Sequence, residues 1–136
     1  MRTSRKPCSN SADSSTPNCD GRSATSRKRR KAWGWTQRLV ELPELVICRA
    51  NGKAGKASSL HLHDTLHNAF FVLDGCVRVD FQNGGTRHLK RGQSLVVPAG
   101  TQHRMVFVQD SELLEIYYTD GVKVDPNDIR RMLPGW

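Results

Sequence analysis

From Trp33 onward the chain is written in short apolar runs that alternate with Gly, Asn, Asp and Pro. LVELPELVICRA, residues 39–50, predicts a strand after Pro43, and NGKAG at 51–55 predicts a turn. SSLHLH at 58–63 alternates, and NAFFVLDG at 68–75 reads as a buried strand ending in a turn. CVRVDF at 76–81 puts Val77, Val79 and Phe81 on one face and Arg78 and Asp80 on the other, because successive strand side chains point to opposite faces. NGG at 83–85 is a tight hairpin signal. TRHLK, the turn RGQ and SLVVPAG follow; HRMVFV then sets His103, Met105 and Phe107 on one side, and ELLEIYY is a further strand. DPNDIRRML, 125–133, predicts a short C-terminal helix, with Asp125 as N-cap and Pro126 at the first helical position. Some eight short strands separated by turns make the fold class all-β, a sandwich or barrel.

Charge divides the chain in two. Residues 1–31 hold nine Lys or Arg against Asp13 and Asp20, whereas residues 32–136 hold twelve basic and eleven acidic side chains. The basic part is rich in Ser, Asn, Thr and Pro and almost free of large apolar residues, so it cannot bury enough surface to offset the entropy of ordering. Two units are therefore expected: a disordered basic tail, 1–31, and a barrel domain, 32–136. The run SRKRRK at 26–31 reads as a solubilising tail, a localisation signal, or a contact for nucleic acid or another polyanion. The four cysteines form no CxxC pair, and Cys48 and Cys76 fall within apolar runs as small hydrophobes. No apolar leader follows the N-terminus, and no stretch of about 18 apolar residues could span a bilayer. The expected setting is cytoplasmic and reducing, with no membrane partner.

All five histidines lie between 61 and 103. His61 and His63 share one strand face, and imidazole is the commonest ligand for Zn, Fe, Mn and Ni. His103 follows a Pro-x-Gly turn and is the candidate third ligand. The spacing is informative. Gly55, His61, His63, Asn68 and Gly75 form one segment; Gly92, Pro98, Gly100 and His103 form another. They resemble the two motifs of the cupin superfamily, G-x5-H-x-H-x(3,4)-E-x6-G and G-x5-P-x-G-x2-H-x3-N. Asn68 stands where the usual Glu would be, and Phe107 where the final Asn would be. The resemblance implies a small antiparallel jelly-roll barrel holding a divalent metal through His61, His63, His103 and either Asn68 or a water, with loading weakened by the neutral amide.

KAWGW at 31–35, SSLHLHDTLHNAF, PAGTQHR and DPNDIRR further resemble the mannose-6-phosphate isomerase cupins, which also occur as C-terminal domains of bifunctional isomerase/guanylyltransferases. That likeness covers residues 31 to about 132. It implies aldose–ketose isomerisation, which needs a metal, a base and a cation for the phosphate. The base is open among His67, Asp64 and a metal-bound water; Lys56, Arg104 and Arg130 are the phosphate candidates. The alternative function is a non-catalytic cupin that binds or senses a small carbohydrate-like ligand. Cupins are commonly dimeric, so a homodimer is expected. His88 is expected at the surface. Trp33, Trp35, Phe70, Phe71, Phe81 and Phe107 are expected as core or rim packing, and Gly75, Gly92 and Gly100 as turn residues.

Overall fold

The computed structural model describes residues 26–132, so the expected tail lies almost wholly outside the described residues. Eleven strands run in chain order: β1 (Arg29–Lys31), β2 (Gly34–Leu42), β3 (Leu45–Gly52), β4 (His61–Leu62), β5 (His67–Asp74), β6 (Cys76–Phe81), β7 (Thr86–Lys90), β8 (Ser94–Val97), β9 (His103–Phe107), β10 (Ser111–Tyr118) and β11 (Arg130–Arg131). They form two antiparallel sheets, ordered β1-β2-β3-β10-β5-β8 and β11-β4-β9-β6-β7. The all-β jelly-roll expectation holds.

Alternation decides which side chains enter the space between the sheets. On β3, Val46, Cys48, Ala50 and Gly52 are buried while their neighbours are not; β5, β9 and β10 repeat the pattern. Phe70, Val72, Val77, Val79, Met105, Phe107 and Leu113 fill the core with Trp33, whose ring lies 5.1 Å from that of Phe107. Phe107 also packs against Gly52, where a Cβ would come within 2.2 Å of the ring. The core fills one end of the barrel; toward the other, the inward positions turn polar, with His61, His63, Asn68, His103 and Glu115 all buried.

Two expectations change. Over its described residues, 125–132, the C-terminal segment is a turn followed by β11, not a helix. Asp125 Oδ1 accepts the Asn127 amide at 2.9 Å, an Asx turn in place of a helix cap. Arg130 and Arg131 then pair with Leu62 and His61, and the Met132 amide donates to Leu60 O at 2.9 Å. A two-turn helix gains little alone, whereas the β4 edge offers ready partners. The second change is at Arg29–Lys31: the end of the basic run is β1, paired with Gly34–Thr36.

Candidate metal centre

β4 and β9 are neighbours, and their pairing sets His61 directly opposite His103. His63 follows β4 immediately, on the same inward side as His61. The ring centroids are 4.6 Å apart for His61–His103, 4.9 Å for His61–His63 and 5.8 Å for His63–His103. One ring nitrogen from each of the three lies within 4.8 Å of the others. The turn before β9 ties the two histidine-bearing segments together: the Gly100 amide donates to His63 O at 2.7 Å, and Gly100 takes φ +84°, a conformation that favours glycine.

Each imidazole is oriented from behind. Nδ1 of His61 donates to Ser59 O at 2.8 Å, that of His63 to Asp128 O at 2.6 Å and that of His103 to Thr101 O at 2.9 Å. A carbonyl oxygen only accepts, so each Nδ1 carries the proton and each Nε2 keeps its lone pair. Nε2 of His63 and of His103, with Oδ1 of Asn68, are buried and have no hydrogen-bond partner. Such orphaned acceptors are costly unless something electropositive completes them. Burial, then the neighbouring His103, pushes His61 down to about 3, and burial likewise lowers His103. Neutral imidazoles with Nδ1 fixed by carbonyls and Nε2 free are the donor set a divalent metal takes.

The triad opens on a cavity of about 710 Å³. Its wall includes Asn68, Phe70, Cys48, Glu115 and Tyr117. Glu115 lies opposite both Cys48 and Phe70 across the ladder, and the Tyr117 hydroxyl donates to Glu115 Oε2 at 3.0 Å. The Tyr117 ring stands edge-on to His63, centroids 5.7 Å apart. Burial raises the Glu115 carboxyl and lifts Tyr117 well above its ordinary range. Cys48 is pushed up to about 11, first by burial and then by Glu115.

The sequence candidates separate on this geometry. His61, His63, Asn68 and His103 come together. His67 does not join them: its Nε2 lies 2.8 Å from Asp120, its Nδ1 accepts the Ala99 amide at 3.1 Å, and it is outside the cavity lining. Asp64 is exposed and bonded to Arg130 at 2.7 Å. Lys56, Arg104 and Arg130 also lie outside the lining. Arg104 alternates away from His103 and reaches Asp80 at 3.4 Å. Glu115 and Tyr117 were missed because ELLEIYY carries only a strand signal; the alternation that sends Leu113 inward sends Glu115 and Tyr117 with it. His88 is exposed as expected, and Gly75, Gly92 and Gly100 all have positive φ.

Residues 51–117 match the family model of the cupin domain. No curated protein matches the chain by sequence. Among solved structures, KdgF from a Halomonas species is similar at 20% identity and TM-score 0.63, covering 69% of this chain and 88% of that one. An oxalate decarboxylase from Bacillus subtilis is similar at 18% identity and TM-score 0.66, covering 79% of this chain but only 30% of that one. An RmlC-like cupin protein from Desulfovibrio desulfuricans is similar at 23% identity and TM-score 0.59, covering 66% and 87%. These likenesses extend the fold beyond the matched segment. Residues 51–117 of this chain are thus a cupin domain, and the buried histidine triad lies inside its barrel.

Proposed function

We propose that the chain is a metal-dependent cupin that takes a small carbohydrate-like molecule, of the sugar-phosphate kind, into the cavity beside His61, His63 and His103. The observation that carries this is the convergence of the three imidazoles, each with Nδ1 bound to a carbonyl, beside the orphaned Oδ1 of Asn68. His61, His63, His103 and Asn68 would hold a divalent Zn, Fe, Mn or Ni ion, which would supply Lewis-acid polarisation of a ligand oxygen. The cavity lies within the volume range of small-molecule sites.

Proton movement falls to Glu115 in this reading, not to His67 or Asp64. Glu115 and Tyr117 both line the cavity, and the raised carboxyl, whose Oε2 accepts the Tyr117 hydroxyl, is suited to hold or accept a proton. Aldose–ketose isomerisation is the reaction such a base and metal would serve. Asn68, neutral where a carboxylate is usual, favours a second reading in which the ligand is held without turnover. Homodimerisation is part of the proposal, because Leu39, Val40 and Leu42 leave an exposed apolar strip on β2. A reducing, cytoplasmic setting suits the buried free thiols of Cys48 and Cys76. Among the described residues no helix is long and apolar enough to cross a membrane.

The test is elemental analysis of untagged full-length protein, followed by assay of the loaded protein on mannose-6-phosphate. Near one equivalent of metal per chain is expected, lost in His63→Ala and in His103→Ala. A protein that takes up no metal on titration refutes the reading. Turnover lost in His63→Ala decides for the enzyme, and binding with no turnover decides for the holding module.

A further inference from the structure

The basic run expected to belong to a free tail forms one wall of the cavity. Arg29, Arg30 and Lys31 pair with Thr36, Trp35 and Gly34. Upstream, Ser26 Oγ donates to Arg38 O at 2.8 Å, and Gln37 Nε2 donates to Ser26 O at 3.0 Å. Lys28 Nζ sits 4.2 Å over the Trp35 ring. The strand is therefore fixed at both ends. Arg27, Lys28, Arg29 and Lys31 all line the cavity, whereas Arg30, which alternation within β1 turns to the opposite face from Arg29 and Lys31, does not.

The wall carries an unbalanced charge. Arg27, Lys28, Arg29, Lys31, Arg38 and Arg131 line the cavity against Glu41, Glu115 and Asp128. Those carboxyls are already engaged: Glu41 pairs with Arg38 at 2.9 Å, Glu115 accepts from Tyr117, and Asp128 accepts from Thr65 and three amides. Among the described residues Arg29, Lys31 and Arg131 make no ion pair. Cations gathered on one side of a concave site create a field that favours an anion, and the β1 side chains that supply part of it, Arg29 and Lys31, are exposed to an incoming ligand.

We infer that β1 is the anion-recognition wall of this site, Arg29 and Lys31 holding the phosphate or carboxylate of a small molecule whose hydroxylated end faces the histidine triad. The inference rests on the proposed ligand site and names its substrate class: an oxyanion on a polyhydroxylated small molecule. It moves the anion contact from Lys56, Arg104 and Arg130, which lie outside the cavity, to residues that line it. A charge-assisted pair in such a site changes affinity by about tenfold or more.

The experiment is calorimetric titration of full-length, metal-loaded protein at fixed ionic strength. Mannose-6-phosphate and glucuronate are compared with mannose and glucose, on wild type, on the Arg29→Ala/Lys31→Ala double variant and on Arg30→Ala. The anionic sugars should bind about tenfold tighter than the neutral ones or better, and the double variant should lose that preference. Arg30→Ala should keep it, and metal content should be equal in all three proteins. Whichever anionic sugar binds more tightly identifies the oxyanion as phosphate or carboxylate. Equal binding of charged and neutral sugars overturns the inference, as does a preference that survives the double variant or is lost equally in Arg30→Ala. So does the absence of any anion binding, or an Arg29- and Lys31-dependent affinity for duplex DNA in its place. Failure of the metal reading shows separately, as metal-free protein throughout, and the sugar preference is measured in that protein all the same.

Discussion

Asp128 offers the most searching test, because one carboxylate ties the C-terminal segment to the turn that follows His63. Its Oδ1 accepts the Asp64 amide at 2.7 Å. Its Oδ2 accepts the Thr65 amide and hydroxyl, both at 2.7 Å, and the Leu66 amide at 3.1 Å. Its backbone carbonyl accepts the hydrogen bond that His63 Nδ1 donates. Asp128→Ala removes the four side-chain bonds at a partly exposed position, where each is worth roughly 0.5–1 kcal/mol, so the expected loss is about 2–4 kcal/mol. For a domain of this size that lowers Tm by roughly 10–25 °C. The turn that positions His63 is loosened too, and zinc affinity should fall about 10–100-fold, as when an orienting partner of a ligand is disturbed. Burial pushes the Asp128 carboxyl up, but the Thr65 hydroxyl and the amides of Thr65, Asp64 and Leu66 outweigh it and hold the group below its ordinary value. A depressed carboxyl contributes stability above its unfolded pKa and loses it as pH falls through the folded one. The gap between wild type and Asp128→Ala should therefore be constant above about pH 5 and close below about pH 4. Scanning calorimetry across pH and a chelator competition for zinc measure both effects. An Asp128→Ala protein within about 0.5 kcal/mol of wild type, with unchanged zinc affinity, would refute the reasoning.

Asn68→Glu should tighten zinc, because a carboxylate replaces a neutral carbonyl among three neutral imidazoles; an affinity unchanged or weakened in competition would remove Asn68 from the ligand set. Gly100→Ala forces φ +84° on a residue with a Cβ and should cost about 1–2 kcal/mol in chemical unfolding, with looser metal binding through the Gly100–His63 bond. In the metal-free protein Glu115→Gln should stabilise the fold at about pH 8 and become neutral toward about pH 4: a raised carboxyl binds its proton more tightly folded than unfolded, so its penalty grows as pH rises above the unfolded value. A pH-independent difference would deny Glu115 that role. Sedimentation should show a dimer, and Leu42→Asp on the exposed strip should weaken it.

The strands that bury one face were legible because they alternate. HRMVFV announces His103, Met105 and Phe107 as inward, and the ladder keeps them so. β2 was not legible: GWTQRLVEL runs from half-buried to exposed without a two-residue rhythm, since it lies next to the edge of its sheet. β1 was misread for a related reason. A run of five cations gives no apolar signal, and its order comes from pairing with β2 and from the ring of Trp35. The helix reading of DPNDIRRML failed because Asp125 and Pro126 begin a turn as readily as a helix, and a distant edge at β4 settled the choice. The triad was legible through spacing alone. Glu115 was not, because nothing in ELLEIYY says that its inward face meets a cavity rather than the packed core.

The register that places His61 opposite His103 joins residues forty-two positions apart. Neither histidine strand meets the other until most of the barrel between them, β5 to β8, has been laid down. Closing so long a loop is slow and falls late on the folding route. A metal that recognises only the closed triad would leave the rate of folding nearly untouched and slow the rate of unfolding instead. Its mark on the protein would be persistence: a longer lifetime of the native barrel, gained after the chain has already found it.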